Sequence, residues 1–305
     1  MKKTSRKEKT IVWAIDAFAE KKLQTKGLKT LKTISEAFGL EVDPVYVLSS
    51  GQVQVQNELY PNWAVDYEGI SAVQLKRITQ LAELKITKKP TILIAKTDSL
   101  QGATARLINY GKKINAKFIF ANTHSNEGLS RFFLGSFTET LLLQNKIPVL
   151  VTNPTTETPA KIRHILFPTD FLHESRKGLE DAVELALKLN AKLTLYHKKI
   201  IPLYLSFPDA PFYNVYIEDL SKQLIKNSKN WLLWAKSRGA KCNLVMDRSI
   251  DTEALGRNII KFAEKNKIDL ICSVTKSSAM GAALLGSTAR YLVRHAHCPV
   301  WVHHS

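Results

Sequence analysis

The 305-residue chain is predicted to fold as two tandem α/β domains, each Rossmann-like, with a five-stranded parallel sheet covered by helices on both faces. Three observations carry that prediction. The sequence contains an internal duplication: "KTIVWAIDAFAEKK" in the first half is matched by "RHILFPTDFLHESRK" in the second, and "KFIFANTHSNEGLSRFFLGSFTETLLLQNKIPVLV" by "DLICSVTKSSAMGAALLGSTARYLVRHAHCPVWV". Spacings inside the two copies agree, with 13 residues from Gly135 to Pro148 and 13 from Gly286 to Pro299, and with 119 from Asp16 to Gly135 against 116 from Asp170 to Gly286. The strands are continuous apolar runs separated by helical patterns, which is how a parallel sheet buried on both faces reads. Right-handed crossovers then give a doubly wound domain.

The elements follow in order. Each copy opens on a buried strand ending in an acid, Asp16 or Asp170, followed by a polar loop into a helix. In the second copy "SRKGLEDAVELALKLN" places Leu179, Ala182, Val183, Ala186 and Leu187 on one helical stripe. "KLTLYH" and "KCNLVM" are strands around a variable segment. A helix is expected from about Thr252 to Lys267, N-capped by Asp251, with Leu255, Ile259, Phe262 and Ala263 as its apolar face. "DLICSV" is a strand, a last helix opens at Gly286–Ser287, and "CPVWV" closes the sheet. The Thr- and Pro-rich "TNPTTETPAK", residues 152–161, is the expected linker. The domains are accordingly placed at 1–153 and 161–305.

Composition is that of a globular protein without a bilayer-spanning run: 45% hydrophobic and 23% charged. The basic N-terminus lacks the apolar core of a signal peptide, since Asp16 interrupts "IVWAI". These features point to a cytoplasmic protein without a membrane partner. Cys242, Cys272 and Cys298 are too few and too oddly spaced for a disulfide framework or a zinc site and read as buried thiols. The net charge of +17 is spread over both halves rather than gathered in a patch. Lys29, Lys32, Lys112 and Lys113 have helix-surface spacing, so a solvated basic surface is the preferred reading and nucleic acid is not an expected partner.

The order strand-Asp, helix, apolar strand, Gly-Ser, amphipathic helix, then "IPV" or "CPV" before a terminal strand resembles the universal stress protein family. The two copies resemble its tandem, E-type members over nearly the whole chain. The resemblance implies a fold of the adenine nucleotide alpha hydrolase-like kind and an edge strand that pairs in dimers. "IPVLV" and "CPVWV" are therefore expected to meet, making an intrachain pseudo-dimer, with homodimers as the alternative. Nucleotide-binding members carry glycine, two residues, glycine, nine residues, then Gly-Ser or Gly-Thr. Counting back from Gly135 puts Asn122 and Ser125 at the first two glycines; counting back from Gly286 puts Ser273 and Lys276 there. His124 and Gly128 also fit the first copy.

The complete motif works because glycines let backbone N–H groups approach phosphate without a Cβ in the way, and a helix N-terminus adds donors. Gly135 with Ser136, and Gly286 with Ser287 and Thr288, keep the second half of that device. An N-capping turn explains the same residues without a ligand. Asp16 and Asp170 correspond to the family's acid beside the nucleotide. Asn122 and Ser125 leave room for a weakened site in the first copy. Lys276 would fill the phosphate volume in the second, pair with Asp170, or attract an anion.

Two aromatic segments follow the second strand of each copy, "QVQVQNELYPNWAVDYEG" and "IIPLYLSFPDAPFYNVYIEDL". Tyr60, Trp63, Tyr67, Tyr204, Phe207, Phe212, Tyr213 and Tyr216 would wall a small-ligand pocket, plug the space between domains or make a dimer contact. His295, His297, His303 and His304 read as helix-end and terminal histidines rather than metal ligands. No G-x-S-x-G, H-E-x-x-H or Walker motif is present, so no enzyme is expected. The expected function is a stress-response protein that acts by binding a ligand or a partner protein, with no certain cofactor. The alternative is a sensor of ATP or another adenine nucleotide, working through the first domain.

Overall fold

The structure is a computed structural model that describes residues 10–18, 27–50, 66–86, 89–123, 136–198, 213–249, 253–275 and 286–304, with side chains from 221 onward in the segment beginning at 213. The first repeat runs β1 (Thr10–Ala14), α1 (Leu28–Phe38), β2 (Glu41–Leu48), α2 (Tyr67–Gln80), β3 (Thr91–Ile94), α3 (Leu100–Lys113), β4 (Ile119–Asn122), α4 (Ser136–Gln144) and β5 (Val149–Thr152). The second runs β6 (His164–Pro168), a 3-10 turn, α5 (Arg176–Lys188), β7 (Lys192–Lys198), α6 (Tyr213–Ser237), β8 (Cys242–Asp247), α7 (Leu255–Lys265), β9 (Leu270–Thr275), α8 (Ser287–His295) and β10 (Val300–His304).

Among the described residues ten strands form one sheet, in the order β3-β2-β1-β4-β5-β10-β9-β6-β7-β8. Each repeat contributes five parallel strands in the same order. Successive residues of a strand point to opposite faces, so a strand buried on both sides needs apolar residues throughout. In β1, Ile11 and Trp13 face α1 and α2, whereas Val12 faces α3 and α4. The second repeat is built alike, with α5 and α6 on one face and α7 and α8 on the other.

Local chemistry sets the helix starts. Ser99 accepts the Gly102 N–H at 3.0 Å and opens α3; Asp66 accepts the Gly69 N–H at 2.8 Å and opens α2. Gly27, with φ 81°, precedes α1 and lies against Phe120 and Thr152, so a Cβ there would collide with the sheet. Two elements differ from the sequence expectation. Helix α7 begins at Leu255 with Ala254 as its cap and no side-chain cap bond, and Asp251 lies outside the described residues. Leu187 is 43% exposed rather than part of the α5 stripe.

The terminal strands do meet. β5 and β10 pair antiparallel, with Val149 opposite Val302, Leu150 opposite Trp301 and Val151 opposite Val300. The pairing is symmetric about Leu150 and Trp301, a local two-fold relating one repeat to the other within a single chain. Trp301 packs on Phe118 of the first repeat with ring centroids 4.8 Å apart. Its indole N–H donates to Asp181, which also holds His303 at 2.7 Å. Around this centre Lys117 bonds Glu184 at 2.7 Å, Glu139 of α4 takes Arg290 of α8 at 2.8 Å, and Asn153 donates to the carbonyls of Val293 and Ala296. The stretch from 153 to 157 is thus bonded to the second repeat: the Glu157 N–H donates to the His297 carbonyl at 2.6 Å.

Candidate functional site

Each repeat carries a cavity above the carboxyl ends of its central strands, where the chain order reverses; this is where doubly wound sheets hold ligands. The first measures about 510 Å³ and lies between the end of β1, the Val45–Val47 stretch of β2, the end of β4, the start of α3 and the first turn of α4. The second measures about 340 Å³ and lies between the end of β6, β7, β9, and the starts of α7 and α8.

The predicted residues divide as follows. Asp16 and Asn122 line the first cavity together with Phe137 and Thr138, and Ser136 is the first residue of α4 beside them. Asp170, Ser273, Gly286, Ser287 and Thr288 line the second. His124, Ser125, Gly128, Gly135 and Lys276 lie outside the described residues, as do Tyr60, Trp63, Tyr204, Phe207 and Phe212 and the side chains of Tyr213 and Tyr216. Tyr67 is a wall of the first cavity, so one residue of the first aromatic segment does reach the site.

The side chains of Asp16, Asp170 and Asn122 are already engaged. Asp16 accepts the Phe18 N–H at 3.0 Å. Asp170 accepts the Leu172 N–H at 3.1 Å and the Ser175 hydroxyl at 3.0 Å, and so organises the turn into α5. Asn122 accepts the Thr152 hydroxyl, and its carbonyl accepts Thr138 at 3.3 Å. Between Asp170 and that turn Phe171 is buried with φ 58°, a left-handed conformation costly for a bulky residue. Its ring, edge-on to Trp231 at 5.4 Å, and a bond from Asn227 to its carbonyl hold it there.

Two readings of the Gly-Ser turns are corrected. Ser287 is the first residue of α8 and Gly286 is its cap, with no side-chain cap bond, so capping does not account for Ser287. Asn122 and Ser273 are also not equivalent. In the first repeat Val12 of β1 pairs Ile119 of β4; in the second the matching Leu166 of β6 pairs Ile271 of β9. Ser273 then corresponds to Ala121, and Asn122 to Val274. Counting back from the glycine misses this because the connection from strand to helix is one residue longer in the first repeat.

The two cavities differ in chemistry. The first contains Asp16 and Asp98 and no Lys, Arg or His among its described lining residues, with Val45, Val47, Leu107 and Phe137 as apolar wall. Asp98 accepts the Ser50 hydroxyl at 2.7 Å. The second contains His197 and Lys198, and Tyr196 replaces the corresponding Val45. Tyr196 donates to Asp247 at 2.7 Å, and Lys198, nearly fully buried, bonds Asp247 at 3.4 Å and Ser249. Burial pushes the Asp247 carboxyl up, but bonds from Ser249 and Tyr196 and the Lys198 charge outweigh it and hold the group at about 2. Asp98, Lys198 and Asp247 escaped sequence reading. "TDSLQG", an acid and a serine at a helix start, was the available signal for Asp98.

No group of three metal-ligating side chains occurs among the described residues, and no described helix is long and apolar enough to cross a membrane. The three cysteines are buried and free. Burial pushes the Cys242 thiol up to about 11 and raises Cys272 and Cys298 as well, so none offers a thiolate at neutral pH. His295 is the last residue of α8, as expected of a helix-end histidine, but burial, then Arg294 and Arg257, lower its pKa, and its ring packs tilted against Tyr291 at 4.4 Å.

Comparison with known proteins agrees with this architecture. The universal stress protein family model matches twice, over residues 8–153 and 161–304. The chain belongs to the universal stress protein family. A universal stress protein of Methanocaldococcus jannaschii is 26% identical over 141 residues, 46% of this chain and 81% of the relative. The crystal structure of a universal stress protein from Archaeoglobus fulgidus matches with a TM-score of 0.62 and 17% identity, covering 97% of this chain and 96% of that one. A putative universal stress protein from Pseudomonas aeruginosa matches with a TM-score of 0.60 and 15% identity, over 97% and 93% of the two chains. These solved structures share the tandem fold; this universal stress protein keeps both repeats with differently lined cavities.

Proposed function

We propose that this universal stress protein is a cytoplasmic, non-catalytic binding protein of the stress response, whose first repeat takes a small adenosine-bearing ligand such as ATP or another adenine nucleotide. The observation that carries the reading is the first cavity: about 510 Å³ at the switch point, apolar along one wall and acidic at the strand end. A ring system would lie against Val45, Val47, Leu107 and Phe137, whose burial favours an apolar body. Asp16 and Asp98 would accept hydroxyl or amino protons, which an adenosine supplies. The start of α4 would face an anionic end, with donors and dipole suited to it. Domain limits of 1–153 and 161–305 belong to the same proposal.

Small molecules released from the purified protein, identified by mass spectrometry, and ATP titration calorimetry on the same batch test it. Recovered ATP, ADP, AMP or adenosine, with binding weakened at least tenfold by Asp16→Ala, is the expected result. A second reading is a protein that works without nucleotide, through partner proteins or another ligand. The Asn122 side chain favours it, being turned onto Thr152 at a position where nucleotide-binding members carry glycine. No nucleotide and no heat of binding would establish that reading instead.

A further inference from the structure

We infer that Tyr196, Lys198 and Asp247 determine which repeat takes the ligand: they close the second cavity to the ring system that the first admits, so the chain holds one adenosine-type ligand rather than two. The inference rests on the reading of the first repeat given above. Strand register identifies the residues. Thr10 pairs Glu41, and the matching His164 pairs Lys192, which makes Tyr196 the counterpart of Val45 and Lys198 that of Val47. Val47 pairs Leu93 on β3, and Lys198 pairs Asp247 on β8. Three apolar positions on one face of the first repeat are therefore an aromatic, a cation and a carboxylate in the second.

The substitution changes both volume and polarity. The tyrosine ring stacks on Phe262 of α7 with centroids 4.5 Å apart and stands where a valine leaves space, and the cavity shrinks from about 510 to about 340 Å³. Lys198 is already nearly fully buried, so a flat apolar ring pressed onto this floor would take water from the partly exposed Asp247 carboxylate without replacing those contacts, which is unfavourable. In the first repeat the same ring meets valine methyl groups. The rest of the second cavity is intact: Asp170 stands at the strand end and Gly286, Ser287 and Thr288 open α8. The exclusion is thus assigned to three side chains and not to a collapsed site. Replacing a buried ion pair by apolar groups of similar volume commonly leaves a fold intact.

Equilibrium dialysis of the full chain with radiolabelled adenosine counts the sites. Adenosine is used because it does not depend on the residues between β9 and α8. Expected are one site per chain in the wild type and two in Tyr196→Val/Lys198→Val/Asp247→Leu, one of which Asp16→Ala removes. If the triple variant does not fold, Lys198→Met/Asp247→Leu, which keeps the stack on Phe262, is expected to gain the second site more weakly, by at least tenfold over wild-type occupancy of that repeat. Two sites in the wild type, or one site in a folded triple variant, would overturn the inference. No site in the wild type and one in the variant would sink the reading of the first repeat and leave this one standing. No site in either would remove both.

Discussion

The two repeats share a strand order, a helix arrangement and an acid at the end of the first strand, yet their cavities have parted. In the first, β2 presents Val45 and Val47 to a roomy site walled by α3 and α4. In the second, β7 presents Tyr196 and Lys198 and the site is smaller and wired with hydrogen bonds. The scaffold residues, which bury the sheet faces, are alike; the residues facing the open space are not. Duplication therefore fixes the fold twice, while the ligand chemistry of each copy is free to diverge at the residues that line its cavity, even where, as at Val45 and Tyr196, they are also buried in the core.

The same contrast runs through the seam, and the largest effects are expected there. Leu150 and Trp301 occupy equivalent places on the local two-fold, but only the tryptophan stacks on Phe118 and bonds Asp181. Trp301→Ala should cost about 3–5 kcal/mol and Leu150→Ala about 2–3, read as thermal or denaturant unfolding of the whole chain. Equal losses would mean that the seam is as symmetric in energy as in register.

Gly178 offers the next test. A Cβ there would run into Val274 on β9 beside the second cavity. Gly178→Ala should cost about 1–3 kcal/mol by overpacking, and less in a Val274→Ala background. A full-size loss in that background would place the strain elsewhere.

The paired acids come third. Asp170→Ala removes the acceptor for Leu172 and Ser175 and should cost about 1 kcal/mol with no effect on ligand binding. Asp16→Ala should do the reverse: little change in melting and at least a tenfold loss of ATP affinity by calorimetry. Swapped outcomes would assign the ligand to the second repeat.

Acid titration is the mildest probe. Burial, then Lys192, lowers the His164 pKa, and burial with Arg294 and Arg257 lowers that of His295. Both groups are neutral in the fold at a pH where the unfolded chain already takes up protons. Their contribution is present above the ordinary histidine value near 6.5 and is lost as pH falls below it, so the melting temperature should decline from about pH 7 toward pH 5. His164→Gln and His295→Gln should flatten that slope.

Much of this was legible in the sequence. Continuous apolar strands such as "TIVWA" and "HILFP" are local patterns that the burial of both sheet faces imposes, and the acid that follows each and the equal spacings from glycine to the terminal strand stand out because the chain carries them twice. The meeting of β5 and β10 was legible through the family resemblance. What stayed hidden depends on distance along the chain. Lys198 finds Asp247 and Ser249 about fifty residues later, and nothing in "LYHKK" announces that partner. The offset between Asn122 and Ser273 was hidden as well, because it is set by strand pairing and a one-residue difference in loop length. Ser287 looked like a cap, because a Gly-Ser pair before a helix does not say which of the two residues is the first helical one.

Hydrogen–deuterium exchange of the full chain with and without ATP, followed by mass spectrometry of peptides, tests the central claim most directly, because it reports on both cavities at once. Added protection is expected in peptides covering 14–18, 45–49, 98–107 and 136–140, and unchanged exchange in those covering 168–175, 196–198 and 286–289. Equal protection of both sets, or protection confined to the second, would contradict it.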